Sequence, residues 1–311
     1  MTTLPLSNVA SGTTPTASKW ATLGFNSRAM TYPLTRMFGL MVGEQNCGKT
    51  YVLQSCPDAF IINCDLSGSP NPNAVSVSWP GISTEGNPID IGGRPFVLTW
   101  DEVEKKIEQL VAMARNNEPR PAMVVFDTIA GMIRLLQPWV ATLLGRSSFN
   151  DCDGRQAWDR LYAHMIDRVA MRLRSAGYGV WFVAHLGREW VKIDDAKATE
   201  TIDFIIGSGL RSRLSAVVEV IVPIVATTST VPVTVLQAAK GPGGQTVNRP
   251  IHTTETRITR RFAFSDPKYA TIKRARTPKP LPDIDFTGDV SPWDALSRSY
   301  DEARGLVPSA Q

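Results

Sequence analysis

Residues 43–50 match G-x-x-x-x-G-K-[ST] at every fixed position. Glycines at the first and sixth positions let the backbone curl so that successive N–H groups point at phosphate oxygens, and a helix beginning near Gly48 adds its positive dipole end. Lys49 would reach the β- and γ-phosphates of a nucleotide, and the Thr50 hydroxyl would ligate Mg²⁺. The residues predicted to bind ATP are Gly43, Glu44, Gln45, Asn46, Cys47, Gly48, Lys49 and Thr50.

Three further polar residues follow apolar runs that are typical of buried strands. Asp127 follows residues 123–126, and it could hold Mg²⁺ directly or through water. Asp65 follows residues 60–64 and is a candidate to orient or deprotonate the attacking water. His185 follows residues 179–184 and could contact the γ-phosphate. Parallel strands deliver their carboxyl ends to one crevice, so the three are expected to meet there with Lys49.

Asp65 and His185 each have an ordinary structural alternative. Asp65 could be a turn or helix-cap residue in the loop that follows its strand. His185 could be a structural hydrogen-bonding residue at a strand end. Both alternatives stay open at the level of sequence.

The elements that position these residues alternate along the chain. Apolar runs at 37–42, 59–64, 123–126 and 179–184 predict strands covered on both faces. Between them, residues 48–55, 100–115 and 155–175 predict helices. This alternation indicates an α/β fold with a mainly parallel sheet. Later, 216–225 and 231–237 predict strands joined by a turn at 227–230, and Ser291-Pro292 begins a terminal helix.

The charge is unevenly distributed along the 311 residues. The net charge is +4, yet residues 249–279 hold nine basic and two acidic side chains, so this segment is +7 and the remainder is −3. Such asymmetry favours a polyanionic partner, with a solvated surface as the alternative. Its basic residues are Arg249, Arg257, Arg260, Arg261, Lys268, Lys273, Arg274, Arg276 and Lys279.

Composition excludes several classes of protein. A hydrophobic fraction of 43% with 20% charged residues excludes wholesale disorder, collagen and coiled coil. The four cysteines are too few and too irregularly spaced for a disulfide scaffold or a zinc ribbon, which indicates a reducing cytoplasm. No apolar run approaches a membrane span and no signal peptide is recognisable, so a cytoplasmic protein without a membrane partner is expected.

From about residue 36 to residue 225 the sequence resembles the RecA-like ATPases. The likeness is greatest to the compact phage type: core-only single-strand annealing recombinases, or phage nucleotide-binding AAA-type ATPases. It rests on the P-loop at 43–50, the strand ending at Asp65, the Asp127 strand, the strand ending at His185, and a glycine turn at 207–211. In this chain Asp65 replaces the usual Glu and His185 the usual Gln.

Residues 1–30, which are rich in Thr, Ser and Ala, predict a flexible arm. The resemblance implies a RecA-like ATPase core at 31–240, followed by a basic β-rich extension at 241–311. It also implies DNA-binding loops at 137–155 and 187–206, where Trp139, Phe149 and Trp190 could stack on bases. Residues implied to bind DNA are Arg146, Arg188, Lys192, Arg211 and Arg213. Residues implied to act on a neighbour's nucleotide are Lys240, Lys273 and Arg274. The resemblance also implies a second set that could line either DNA or that nucleotide: Arg260, Arg261 and Arg276.

Three hypotheses for function follow. The first is a Mg²⁺-dependent ATPase and homo-oligomer, filament or ring, that acts on single-stranded DNA in recombination, annealing or replication. The second is a DNA-annealing protein for which ATP is an assembly switch with little hydrolysis. The third is a small-molecule kinase, but Arg146 and Arg155 are too sparse to form the arginine-rich lid that a kinase needs.

Overall fold

The computed structural model describes residues 32–65, 77–78, 81–82, 88–89, 98–194, 197–204, 206–240, 246–269, 274–275, 277, 279–286 and 290–306. Residues 33–311 form one compact unit. The predicted arm at residues 1–30 lies outside the described residues, and so does Lys273. The divisions at residues 30 and 240 remain predictions.

One mostly parallel sheet contains the predicted buried strands. Its parallel strands, in spatial order, are β9 (Val220–Lys240), β1 (Phe38–Gly43), β7 (Gly179–Asp194), β6 (Met123–Asp127), β2 (Ala59–Asn63) and β3 (Val77–Ser78). The strand before the P-loop and the strand ending in Asp127 are therefore separated by β7. This arrangement is consistent with a RecA-like P-loop NTPase core, so the predicted fold class is confirmed.

Antiparallel strands extend this sheet. Strand β10 (Thr246–Phe262) pairs with β9 along its whole length, and β12 (Ile284–Asp285) pairs with β10. Strand β11 (Arg274–Ala275) also pairs with β9, and β8 (Lys197–Phe204) pairs with β7. Strands β4 (Gly81–Ile82) and β5 (Pro88–Ile89) make a separate antiparallel pair.

Helices cover both faces of the sheet. On one face lie α1 (Lys49–Gln54) and α7 (Pro292–Ala303). On the other lie α2 (Trp100–Arg115), α3 (Ile129–Leu143), α4 (Gly154–Ala163), a π-helical segment (His164–Ala170), α5 (Met171–Ser175) and α6 (Ser208–Val217). Alternate strand residues supply the two cores: Val124 and Phe126 face one, and Met123 and Val125 the other. The central strands read as continuous apolar runs because both faces are covered.

Two predicted helices begin where expected because capping residues mark their starts. The Thr99 side chain accepts a hydrogen bond from the N–H of Glu102, and α2 spans 100–115 as predicted. Ser291 caps α7 in the same way through the N–H of Asp294, with Pro292 in the first turn. The predicted helix at 155–175 is present over 154–175, with the π-helical segment inside it.

The prediction of two strands joined by a turn at 227–230 is wrong. Ala216 and Val217 end helix α6, and β9 then runs unbroken from Val220 to Lys240. Leu210 and Leu214, four residues apart and both buried, hold α6 on the core, which outweighs the strand preference of Val217. Residues 227–230 stay extended because β10 pairs with each of them, and threonine favours strands.

The two predicted DNA-binding loops also contain regular structure. Residues 137–143 belong to α3, whose buried Leu136 and Val140 lie on one face, and Pro138 is accommodated within the helix. The connection from α3 to α4 is therefore only 144–153. Most of 187–206 forms an antiparallel hairpin of β7 and β8, in which Leu186 lies opposite Phe204. Valine, isoleucine and threonine recur in this segment, and these β-branched residues favour strands over loops.

His164 is the first residue of the π-helical segment and packs between two tryptophans. The ring centroids lie 5.3 Å from Trp100 and 4.3 Å from Trp139. Burial, reinforced by repulsion from Arg168, lowers the pKa of the His164 imidazole to about 4. The folded protein therefore holds this imidazole neutral at pH values where an unfolded chain would protonate it.

We expect His164→Phe to make the protein less sensitive to acid. The unfolded pKa is about 6.5, so the stabilising contribution of neutral His164 is complete above that pH. It is lost as the pH falls toward 4, at about 1 kcal/mol per pH unit. Urea denaturation at pH 7, 6 and 5 measures this slope. His252→Gln, at an exposed position on β10, should keep the original slope, and an unchanged slope in His164→Phe would contradict the lowered pKa.

Candidate functional site

The P-loop is a tight turn between β1 and α1 at the carboxyl edge of the sheet. Gly43 is the last residue of β1, and Lys49 is the first of α1. Asn46 has φ 63° and Gly48 has φ 101°, both in the left-handed region, which a side chain at position 48 would oppose. A methyl group on Gly43 would lie 2.6 Å from the carbonyl oxygen of Ile224 on β9. Both motif glycines are therefore required by the local geometry.

Lys49 is buried, with 5% of its surface exposed. Its Nζ donates to the carbonyl oxygens of Gly43 at 3.0 Å and Glu44 at 2.6 Å. These two hydrogen bonds stabilise the start of the P-loop. Burial lowers the pKa of the Lys49 amine, and the nearby Cys47 and Asp127 partly offset that effect. An anionic phosphate would compensate a positive charge held in this position.

Thr50 and Asp127 meet as the sequence predicts. The Thr50 hydroxyl donates to Oδ2 of Asp127 at 2.5 Å, and Asp127 is 5% exposed. Burial raises the pKa of the Asp127 carboxyl, opposed by the hydrogen bond from Thr50 and then reinforced by Asp65. A hydroxyl and a buried carboxylate facing one another are suitable oxygen ligands for Mg²⁺.

A magnesium site here would be shared with the nucleotide. Within the described ranges, no cluster of three or more His, Cys, Asp or Glu side chains could hold a metal ion by itself. Mg²⁺ commonly binds through one or two protein oxygens together with phosphate oxygens and water. Thr50 and Asp127 fit that pattern.

Asp65 lies at the same edge, two residues after β2. Strand β2 pairs with β6 so that Asn63 lies opposite Asp127, which places Asp65 beside the start of α3. Its Oδ2 accepts a hydrogen bond from the Thr128 hydroxyl at 2.7 Å, and its Oδ1 pairs with the exposed Arg134 guanidinium. The carboxylate therefore has two partners, and its predicted role as the water-orienting acid remains a prediction.

His185 lies directly across from Gly43 in the β1–β7 register. Its Nδ1 is buried and has no hydrogen-bond partner among the described residues. Burial lowers the pKa of His185, the positive charge of Lys49 lowers it further, and Asp65 acts in the opposite direction. A neutral imidazole with an unsatisfied nitrogen at the P-loop could hydrogen-bond to a phosphate, as the sequence predicts.

Sequence reasoning missed Arg134 and the function of Thr128. Thr128 caps α3 by accepting from the N–H of Gly131 at 3.1 Å while donating to Asp65. A threonine just before a helix is a recognisable capping signal. Arg134 carries no such signal, because its partner Asp65 is 69 residues away in the chain.

The residues implied to bind DNA are not gathered on one element. Arg146 is exposed just after α3, whereas Arg211 and Arg213 lie on α6, where Arg213 pairs with Asp159 at 3.4 Å. Arg188 and Lys192 lie in the β7–β8 hairpin, Lys240 ends β9, and Arg274 begins β11. For these four, the structure describes the backbone alone. Trp190 is in the same hairpin, while Trp139 and Phe149 both pack on the core.

A groove of about 620 Å³ lies between α3, α4 and the start of α6. Ala130 and Ile133 of α3 form one wall, and Trp158 and Tyr162 of α4 form another, with Arg155 at the rim. A methyl group at Gly207 would lie 2.7 Å from the Tyr162 hydroxyl and one at Gly209 would lie 3.2 Å from the Tyr162 ring, so the predicted glycine turn lets α6 begin close to Tyr162. No helix in the described part of the chain is long and apolar enough to cross a membrane.

Comparison with known protein families gives a match. A family model described as an AAA domain matches residues 35–260, well over half of the chain. The matched range includes the P-loop, Asp65, Asp127 and His185. No curated protein matches the chain.

Asp127→Asn should leave the nucleotide-free protein at least as stable at pH 7. The folded-state pKa of Asp127 is raised, so ionisation opposes folding. That cost is absent below the unfolded pKa of about 3.9 and complete above the folded pKa. Asparagine removes the buried charge and keeps an oxygen for Thr50. Urea denaturation tests this against Asp159→Asn, an exposed position, and a loss above about 1 kcal/mol would contradict it.

Proposed function

The chain belongs to the AAA domain family, and we propose that it is a RecA-like ATPase of the phage type that hydrolyses ATP with Mg²⁺ and acts on single-stranded DNA. Family membership supports nucleotide binding and ATPase activity. The observation that carries the proposal is the meeting of the buried Lys49, the Thr50–Asp127 pair and Asp65 at one sheet edge. These are the groups needed to bind a triphosphate and hydrolyse it.

Binding would use the groups of the P-loop in the arrangement already described. Backbone N–H groups of 44–50 and Lys49 would hold the phosphates, with Lys49 already positioned by the carbonyl oxygens of Gly43 and Glu44. Thr50 and Asp127 would hold Mg²⁺, which would supply charge neutralisation between the β- and γ-phosphates.

Hydrolysis would use Asp65 to orient the attacking water and accept its proton at a carboxylate oxygen. The Asp65 carboxylate accepts a hydrogen bond from Thr128, which is the residue directly after Asp127. His185, opposite Gly43, would donate or accept a hydrogen bond at the γ-phosphate according to its tautomer.

Single-stranded DNA is the proposed activator because α3 contacts both the groove and Asp65. Ala130 and Ile133 line the groove, and the Thr128 cap and Arg134 hold the Asp65 carboxylate. The groove offers the half-buried Trp158 for stacking on a base and the exposed Arg155 for a phosphate. DNA seated there would act on α3, and through it on Asp65.

A homo-oligomer, filament or ring, is supported by the β9–β10 ribbon. Beyond about residue 226 these two strands pair mainly with one another and their described side chains are largely exposed. Val235 and Ile251 lie opposite each other and are both exposed. A cytoplasmic location, that of the host cell if the protein is phage-encoded, is supported by four cysteines that are all free thiols.

The second candidate function is ATP-switched DNA annealing with little hydrolysis. The observation that favours it is the double engagement of Asp65 by Thr128 and Arg134. A carboxylate whose two oxygens already accept from a hydroxyl and a guanidinium leaves fewer lone pairs for the attacking water. In this case ATP would set the assembled state, and turnover would be slow.

ATPase activity should rise when single-stranded DNA is added to the purified protein. We expect Lys49→Ala to abolish turnover with and without DNA, because it removes the charge that holds the phosphates. Steady-state phosphate release, read alongside oligomer size with a non-hydrolysable ATP analogue, tests both statements. Turnover that DNA leaves unchanged, with oligomers that form only with ATP, would favour the annealing switch.

Asp65→Asn should lower kcat by about 10²- to 10⁴-fold while leaving ATP affinity nearly unchanged. Asparagine keeps the size of the side chain and one of its two acceptor oxygens but cannot take a proton from water. Asp101→Asn is the matched control, since Asp101 is an exposed aspartate in the first turn of α2 and does not line the groove. Unchanged kcat in Asp65→Asn would show that another group orients the water.

A further inference from the structure

Arg260 reaches the P-loop from the antiparallel edge of the sheet. It lies near the end of β10, opposite Ala226 of β9, and β9 in turn pairs with β1, which leads into the P-loop. A methyl group on Gly48 would lie 2.9 Å from Cδ of Arg260 and 3.1 Å from its Nε. The side chain therefore extends back over the turn that precedes Lys49.

The Arg260 guanidinium has no anionic partner in the described part of the chain. Its Nε is buried without a hydrogen-bond acceptor. The next residue, Arg261, also has a buried Nε without an acceptor, but its terminal nitrogens pair with Asp266 at 3.3 Å and with Asp283 at 3.4 Å. A buried Nε–H without an acceptor carries a free-energy cost, which a phosphate at the same place would offset.

From these contacts we infer that Arg260 binds a terminal phosphate of the nucleotide in its own subunit's P-loop. The inference rests on the proposed function, since it requires a nucleotide at Lys49. Lys49 would approach the phosphates from the loop itself and Arg260 from β10. A planar guanidinium can make two parallel hydrogen bonds to a phosphate, which gives both charge and orientation.

The local geometry explains why Gly48 leaves this approach open. The Arg260 stem occupies the space that a side chain at position 48 would take. The backbone of Arg260 is held independently of any ligand, since its carbonyl oxygen accepts from the N–H of Phe286 at 3.0 Å. The residue is therefore already positioned before nucleotide arrives, and only its side-chain end has to adjust.

The family resemblance implies that Arg260 lines DNA or the nucleotide of a neighbouring subunit. Its contact with Gly48 of the same subunit instead favours action in cis. The +7 segment at 249–279 would then serve two purposes, with one of its arginines turned inward to the nucleotide and Arg257 exposed on the surface.

The test is equilibrium binding of a fluorescent ATP analogue, with competition by ATP and ADP. Arg260→Met keeps the aliphatic stem and removes the charge, so we expect affinity to fall at least about tenfold. Arg260→Lys keeps the charge without the planar fork and should fall less. Arg257→Met is the matched control, because it removes the same charge from an exposed position on the same strand and should bind normally.

The outcomes separate the inference from the function on which it rests. If the unaltered protein binds ATP, Lys49→Ala does not, and both Arg260 variants bind as the unaltered protein does, the inference is overturned and the nucleotide site stands. If the unaltered protein binds no nucleotide, both fail. Without nucleotide, the melting temperatures of the variants should be no lower than that of the unaltered protein, and Arg260→Lys supplies the test if Arg260→Met is unstable.

Mixing variants tests action in cis. Subunits carrying Lys49→Ala keep Arg260, and subunits carrying Arg260→Met keep Lys49. If Arg260 acts within its own subunit, the mixture has no more ATPase activity than the two variants measured separately. Recovery of activity on mixing would show that a neighbour supplies Arg260 and would overturn the assignment in cis.

Discussion

A lysine and an aspartate are buried close together at the carboxyl edge of the sheet, yet they do not form an ion pair with each other. Lys49 donates to carbonyl oxygens of its own loop, and Asp127 accepts from Thr50. Burial lowers the pKa of Lys49 and raises the pKa of Asp127, so it favours the neutral form of each group. This arrangement opposes folding in the empty protein and favours a ligand that brings negative phosphate to the lysine and a cation to the carboxylate.

The sheet order provides the spacing that this arrangement needs. Strand β7 lies between β1 and β6, so the P-loop after β1 and Asp127 at the end of β6 are one strand apart at the same edge of the sheet. The register then places His185 level with Gly43, and Asn63 level with Asp127. Helix α7 supports the far side of α1, where the N–H of Trp293 donates to Ser55. Strands and helices therefore position Lys49, Asp127 and His185, whereas Asp65 lies in the loop after β2.

Local patterns were sufficient for some parts of this structure and insufficient for others. The P-loop, the buried strands and α2 were predictable because motif, apolar run and cap each lie within a few neighbouring residues. The unbroken β9 was not, because residues 227–230 look like a turn until β10 pairs with them. Arg134 on Asp65 and Arg260 on Gly48 were also beyond local reasoning, since each contact joins residues far apart in the chain.

Helix α3 ties the chemistry of the site to a surface on which another molecule can act. Its first turn is capped by Thr128, which also holds Asp65, while its next residues line the groove against Trp158 and Tyr162. A closely packed helix moves as a unit, so a shift large enough to seat a ligand in the groove would also change the partners of Asp65. Arg134 is 67% exposed, so its pairing with Asp65 is weak enough to be exchanged. In the proposed ATPase, α3 would therefore hold Asp65 until a ligand in the groove releases it to water.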